Sequence, residues 1–424
     1  MKGKKQVIIG NSAAGLSAIS AIRSIDGSCP ITVISAENCM AYSPVLLTYY
    51  IAQKIGRDDL FIADDRFYRE HNVKTIFGDR AVGIDPAQQT VYLEDDTKLE
   101  YDNLLIATGA SAKYPTKESS KIPRILTVRT IEDAERIIRL SKDAQEIVVL
   151  GAGLISMQVA NALALAKKGI KLTFVVGSRY ILSQNIDDGC AAILQKRLES
   201  QGVSFLFGRN AESFKEKNNK VWIVTDRGED LFADLVVVGK GVTPNIDWIK
   251  ETGVKVGRGV IVDEYMRTNI ENVFAAGDVA EAMHLISGKR QVIATWPNAC
   301  IQGRVSGLNM AGYPEKFDGG LNSNVTNIFG LTLATVGLCR ATDGNFEEIK
   351  YADEEREIYR RFLLSDNRIA GAVLLSRVAD AGIIRNLIEN KTDVTPWKDR
   401  LTKSLLSVGT ELFRWLADKT KESN

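Results

Sequence analysis

Gly10-Asn11-Ser12-Ala13-Ala14-Gly15 follows the apolar run 7–9, and Gly151-Ala152-Gly153-Leu154-Ile155-Ser156 follows the apolar run 147–150. Each run reads as a short buried strand, and each glycine-rich turn opens a stretch with helical periodicity. In that strand-to-helix setting a glycine turn is a dinucleotide-binding fingerprint. Its first glycine permits the tight turn, its second position brings the backbone close to a pyrophosphate, and its third lets helix and strand pack. The helix N-terminus then meets the anion. Both copies depart from the ideal, with Ser12 at the second position of one and Ser156 at the third of the other. Serine is small enough for either place. Two such turns in one chain predict an α/β fold with two dinucleotide sites.

The 424 residues suffice for two or three domains with ample core. Lys and Arg total 54 against 53 Asp and Glu, so net charge gives no reason to expect nucleic acid or an anionic membrane as partner. Five scattered cysteines, Cys29, Cys39, Cys190, Cys300 and Cys339, do not form a secreted disulfide framework, and the cytoplasm is the expected location. Lys2, Lys4 and Lys5 ahead of a small apolar stretch mimic a signal peptide, but that stretch contains the first glycine turn and is expected to stay. No apolar run approaches the roughly 18 residues of a spanning helix, so no membrane span is expected. With only His71 and His284, no metal-ligand spacing and no nucleophile triad is supported. Closely spaced cysteines for an iron–sulfur cluster are also missing.

Residues 16–24 read as the first helix and 31–35 as the second parallel strand. Glu37 then stands close to the acidic position, about 20 residues beyond the last glycine, that accepts adenosine ribose hydroxyls. Residues 101–110 form a buried strand entering a small-residue turn where backbone can lie against a cofactor. A helix over 131–141 leads to the second fingerprint, and 171–176 mirrors the earlier second strand. There the mirror breaks. Val176-Gly177-Ser178-Arg179 lacks the ribose carboxylate, so nothing repels a 2′-phosphate and Arg179 is placed to meet one; NAD held less tightly at its ribose is the alternative. Residues 203–238 read as a β-meander with turns at Asn218-Asn219 and Arg227-Gly228, and 234–245 adds a buried strand and a flexible turn. Asp278, taken alone, would serve as a helix cap. Trp296-Pro297-Asn298 starts a helix with proline in its first turn. Strands around 331–337, 358–364 and 369–375 and a helix near 381–389 form a last domain. A C-terminal helix after Pro396-Trp397 carries Leu401, Leu405, Val408, Leu412 and Trp415 at helical spacing, a face that packs on its own domain or docks another subunit.

Taken in order over residues 5–320, these motifs resemble the two-dinucleotide FAD/NAD(P)H oxidoreductases, which include pyridine nucleotide disulfide reductases, rubredoxin reductases and the flavin domain of NADH-dependent nitrite reductases. The resemblance implies two Rossmann-like domains, a discontinuous FAD domain (1–113 and 243–318) and an inserted NAD(P) domain (114–242), plus an α+β C-terminal interface domain (319–424). It implies that Gly10, Ser12, Ala13, Ala14, Gly15, Glu37 and Asn38 hold the pyrophosphate and ribose of FAD, with Ser43, Pro44 and Val82 along the same cofactor. Ala107-Thr108-Gly109 resembles the turn that links the domains, Arg129 an arginine that contacts FAD, and Gly277-Asp278 the motif that binds the ribityl chain. Trp296 and Asn298 would aim a helix N-terminus at the flavin pyrimidine edge, where its amides stabilise the charge of reduced flavin. Gly151, Gly153, Leu154, Ile155, Gln158, Arg179 and Gly241 fall on the side of NAD(H), with NADP(H) left open.

The departures from the family pattern direct the electrons. Where disulfide reductases carry a redox cysteine after the ribose glutamate, this chain has Val45, and Cys39 comes too early. Pro44 and Gln158 stand where relatives place a Lys or Arg and a Glu, removing an ion pair beside the flavin. No side chain is assigned as acid, base or nucleophile. The resemblance therefore implies an iron–sulfur protein subunit or small electron carrier as partner, as for the flavin subunits of phenylglyoxylate dehydrogenase and tungsten aldehyde oxidoreductase. Outside a hetero-complex a homodimer is expected. A stand-alone rubredoxin or ferredoxin reductase or NADH oxidase is the rival enzyme, and a non-catalytic flavoprotein scaffold or redox sensor the rival of another class.

Overall fold

The computed structural model describes residues 3–228, 230–340 and 346–406. The chain forms two compact units, Met1–Gly151 with Val159–Lys171 and Ala211–Leu321, and Ala152–Gln158 with Leu172–Asn210 and Asn322–Asn424.

In the first unit a five-stranded sheet has the order Val273–Ala275, Asn103–Ile106, Gln6–Ile9, Ile31–Ser35, Val73–Phe77, with every pair parallel. Alternate residues face opposite sides, so Val7, Ile9, Ile34, Leu104 and Ile106 join one apolar cluster while Ile8, Val33 and Leu105 join another. Both faces are therefore covered, which is why these strands are apolar throughout rather than alternating. The helix Ala13–Ile25 buries Ala14, Ala18, Ile19 and Ile22 on the second face. Burial of each isoleucine contributes about 1.5–3 kcal/mol. Ile9 pairs with Ile34 and with Ile106, so the carboxyl ends of three strands stand level, at the edge where a doubly wound sheet holds its ligand.

Glu146–Leu150, Leu235–Val238 and Ile125–Leu126 also run parallel in this unit. A two-stranded antiparallel ribbon joins Ala110–Ala112 to Val242–Pro244, and Lys113 N–H donates to Gly241 O at 3.0 Å. The meander is confined to Ala211–Lys217, Lys220–Thr225 and Asp230–Ala233, closed at one end by Asn218 and Asn219 with φ of 52° and 59°. Residues 203–207, expected within it, instead pair in parallel with Lys171–Val176 in the second unit, where Phe205 stacks on Phe174 at 5.2 Å. Asp278 caps no helix, because a strand, Ala280–Met283, follows it.

The second unit holds an antiparallel sheet in the order Ser323–Ile328, Leu331–Gly337, Arg368–Leu375, Ile358–Ser365, Glu347–Asp353. Its edge strand Glu347–Asp353 is mostly polar and exposed, which discourages pairing with other chains. Beneath the sheet Arg360 and Asp380 form a fully buried bidentate pair, Nη2 to Oδ2 at 2.7 Å and Nη1 to Oδ1 at 3.2 Å. Arg360 Nε also donates to Leu401 O at 2.9 Å, and Leu405 N–H to Asp380 Oδ2 at 3.0 Å, so the pair pins the segment that buries Leu401 and Leu405. That segment follows a 3-10 helix, Thr395–Arg400. Val408, Leu412 and Trp415 of the expected terminal helix lie outside the described residues. Among the described residues no helix is long and apolar enough to cross a membrane.

Candidate functional site

The first glycine turn is shaped by backbone contact. Gly10 has a φ of 127°, and a Cβ there would collide with the carbonyl of Ala107; a Cβ on Gly15 would collide with the carbonyl of Gly10. Ser12 occupies the N-cap in extended conformation, but its hydroxyl makes no capping bond, so no side chain satisfies the first amides of the helix, those of Ala13 and Ala14 among them. Asn11 was not singled out from sequence. Its Oδ1 accepts from the Tyr68 hydroxyl at 2.8 Å, and its Nδ2 is buried with no partner among the described residues. An orphaned buried amide costs about 1–3 kcal/mol, and a pyrophosphate oxygen removes that cost. Uncapped amides, a close-packed glycine cradle and an orphan donor fit the pyrophosphate of a dinucleotide.

Glu37, expected at the ribose, follows the strand Ile31–Ser35, and its Oε2 accepts from the Tyr42 hydroxyl at 2.7 Å. Burial pushes the Glu37 carboxyl above its ordinary pKa, opposed by the Tyr42 hydrogen bond and by Arg129 and reinforced by Asp133. Asn38 packs against Gly78. Ser43 is buried and its N–H donates to Leu60 O at 2.9 Å. Pro44 opens a 3-10 helix, Pro44–Leu46, on which Val45 is 55% exposed. Val82 is exposed at the bulge between Ala81 and Gly83.

Three further segments meet this turn. Gly277 packs against Ala14, and the Arg129 guanidinium lies beside Gly109 and pairs with Asp278, Nη2 to Oδ2, at 2.8 Å. Arg129 is set by the next helix, where Thr130 and Asp133 form a capping box and Asp133 also accepts from the Arg129 N–H at 2.9 Å. Thr108 and Asn245 exchange bonds, Asn245 Nδ2 to Thr108 O at 2.8 Å and Thr108 Oγ1 to Asn245 O at 3.1 Å. Gly277 N–H donates to Gln302 Oε1 at 2.8 Å, from the helix Trp296–Met310. Gln302 also escaped notice, although Asn298 and Gln302 one turn apart mark a polar line on a buried helix face. Asn298 engages both N–H groups within the protein, on Thr295 Oγ1 at 2.7 Å and Leu321 O at 3.0 Å, and so fixes the start of that helix. Trp296 packs beside the cluster containing Ala13 and Ala14.

In the first unit Gly151 has a φ of 88°, and a Cβ there would stand 2.8 Å from Gly239 O and 3.8 Å from Lys240 Cγ. Lys240, unremarked in the sequence, is half-buried, and that burial lowers its pKa against the opposing charge of Asp226. Gly241 accepts from Lys113. In the second unit Gly153 O accepts from Met157 N–H at the start of the helix Leu154–Ala166, and Ile155 is exposed. Gln158 Nε2 donates to Thr326 Oγ1 at 2.7 Å. Arg179 is exposed, next to Ser178, whose hydroxyl donates to Tyr180 O at 2.7 Å.

Burial raises the Cys39 thiol, as it does those of Cys29, Cys190 and Cys339, so none of these four has a reactive thiolate environment. Among the described residues no three His, Cys, Asp or Glu side chains are grouped to hold a metal.

Comparison with known proteins bears on the whole chain. Residues 4–303 match the family described as pyridine nucleotide-disulphide oxidoreductase, and residues 323–392 match the rubredoxin NAD+ reductase C-terminal domain. The NADH-dependent phenylglyoxylate dehydrogenase subunit epsilon of Aromatoleum evansii is 31% identical, across 96% of this chain and 97% of that protein. The NADH-rubredoxin oxidoreductase of Clostridium acetobutylicum is 26% identical, across 92% and 96%. Among solved structures, the NAD-dependent persulfide reductase from A. fulgidus superposes with a TM-score of 0.85 at 27% identity, covering 92% of this chain and 78% of that one.

Proposed function

Because the chain belongs to the pyridine nucleotide-disulphide oxidoreductase family, we propose that it is an FAD-containing NAD(P)H-linked electron-transfer enzyme. It exchanges a hydride between nicotinamide and flavin N5 and passes electrons to or from an iron–sulfur protein. FAD, when bound, supplies the step between two-electron hydride chemistry and single-electron transfer. The chain's own residues bind and orient. Gly10, Ser12 and the amides of Ala13 and Ala14 receive the pyrophosphate, Glu37 the adenosine ribose, and the Arg129–Asp278 pair the ribityl segment. Gly151, Gly153, Leu154, Ile155 and Gly241 receive the nicotinamide coenzyme, taken as NAD(H). The domain division that accompanies this reading is FAD domain 1–113 and 243–318, NAD domain 114–242 and interface domain 319–424.

The observation that supports the proposal is the closely packed first glycine turn; Val45, on the 3-10 helix Pro44–Leu46, stands where the family resemblance expects a redox cysteine. With no thiol there, this reading sends the electrons to another protein, and direct transfer to oxygen, as in an NADH oxidase, is its rival. Likeness over its full length to a dehydrogenase subunit favours a place as the NAD-linked subunit of a multi-subunit oxidoreductase in the cytoplasm. Full-length likeness to an NADH-rubredoxin oxidoreductase, together with the matching C-terminal domain, favours the second reading, a free-standing reductase of a small iron–sulfur carrier. Anaerobic titration with NADH, then NADPH, tests the common ground by following flavin absorbance at about 450 nm. Bleaching is expected with NADH; no bleaching with either coenzyme overturns the proposal. Purification with iron–sulfur chains selects the subunit, and an active homodimer selects the free-standing reductase.

A further inference from the structure

We propose that Tyr42 is a positioning residue for the adenosine end of FAD: its hydroxyl holds one oxygen of the Glu37 carboxylate and leaves the other for the ribose hydroxyls. This rests on the FAD reading above. The phenol donates to Glu37 Oε2 at 2.7 Å, a charge-assisted bond. Glu37 carries three side-chain torsions, and an acceptor that must be ordered at the moment of binding weakens binding by the entropy of ordering. Tyr42 fixes it beforehand.

Tyr42 is itself immobilised. It is 7% exposed and bridges Phe61 in antiparallel fashion, while Ser43 N–H to Leu60 O and Ile62 N–H to Ala41 O, both at 2.9 Å, clamp the backbone on either side. The backbone of Glu37 is held as well, its N–H by Ser35 Oγ at 3.2 Å and its carbonyl by Gly78 N–H at 3.3 Å. The same device recurs at the pyrophosphate, where Tyr68 holds Asn11 Oδ1 and frees its Nδ2. Tyr68 also accepts from the N–H of Ala41, the residue before Tyr42, at 3.3 Å. One short segment thus organises both polar ends of the bed.

A double-mutant cycle on FAD affinity separates positioning from bulk structure. Apoprotein of the unaltered chain, Tyr42→Phe, Glu37→Ala and the double variant is titrated with FAD, reading flavin fluorescence, with thermal melting of each apoprotein alongside. Tyr42→Phe is expected to weaken FAD about 10-fold in the unaltered background and under about 2-fold in the Glu37→Ala background, which has no side-chain acceptor. Equal losses in both backgrounds, or no loss in the first, overturn the proposal. Should Tyr42→Phe fail to fold, Tyr42→Leu enters the same cycle with the same two criteria. If the unaltered apoprotein takes up no FAD, the functional reading fails; if it does and the cycle shows no coupling, only Tyr42's role fails.

Discussion

The two glycine turns share a fingerprint but differ in what surrounds them. Around the first, four hydrogen-bonded pairs are gathered: Glu37 with Tyr42, Asn11 with Tyr68, Arg129 with Asp278, and the Gly277 N–H with Gln302. At the second, Gly151 lies against Gly239 and Lys240 in the first unit; in the second unit, taken by itself, Gln158 is bonded to Thr326 and 176–179 hold no carboxylate. A bed built from many preorganised groups suits a ligand that stays, whereas a lean one suits a ligand that must leave each turnover. A resident flavin at the first turn and an exchanging coenzyme at the second are the expectation to be tested.

The sharpest way to break it is to place the same methyl group in each turn. Gly10→Ala introduces a Cβ at a φ of 127° against the Ala107 carbonyl, and is expected to yield colourless protein with FAD affinity lowered at least 100-fold, or about 2.7 kcal/mol. Gly151→Ala, at a φ of 88° with Gly239 O 2.8 Å away, is expected to stay yellow while losing most NADH-dependent bleaching. If both variants lose flavin equally, the two sites are not separable.

A milder test uses protons. The carboxyl of Glu37 faces Tyr42, Arg129 and Asp133, and burial holds its pKa above the ordinary value. As pH falls through that raised pKa the carboxylate acquires a proton and loses acceptor strength, so FAD retention should fall on acidification from neutrality, by about 10-fold or less. Equilibrium binding measured between about pH 8 and 5 checks this, and Glu37→Gln should flatten the profile. A profile unchanged by Glu37→Gln assigns the effect to another group.

The smallest effect concerns the second turn alone. Arg179→Ala should weaken NADPH by about 3-fold to 10-fold and leave NADH unchanged, since a 2′-phosphate is the only group distinguishing the two that a nearby guanidinium recognises. Equal loss of both would place Arg179 on a feature they share, and no loss would remove it from the site.

Local rules explain what was legible in the sequence. Strand Ile31–Ser35, helix Ile131–Ser141, strand Leu331–Gly337 and helix Ala381–Glu389 were readable to the residue, because period and capping chemistry are written in neighbouring positions. The turns were readable because only glycine tolerates their backbone. Residues 203–207 were misplaced in the meander because parallel pairing joins segments distant in sequence and leaves no turn signal. Tyr42, Tyr68, Gln302 and Lys240 escaped for a related reason: each acquires its role from a partner brought near by the fold, and a lone tyrosine or glutamine carries no mark of that.

The ribbon of Ala110–Ala112 and Val242–Pro244 has a consequence for how such a protein can be altered. Lys113 is bonded to Gly241, and Asn245 is stitched to Thr108, so everything between residues 113 and 241 enters and leaves through one doorway a strand's width across. A foreign segment with adjoining ends spliced between Ala112 and Val242 would have to supply its own arginine in place of Arg129, because the Asp278 that pairs with it lies outside the stretch.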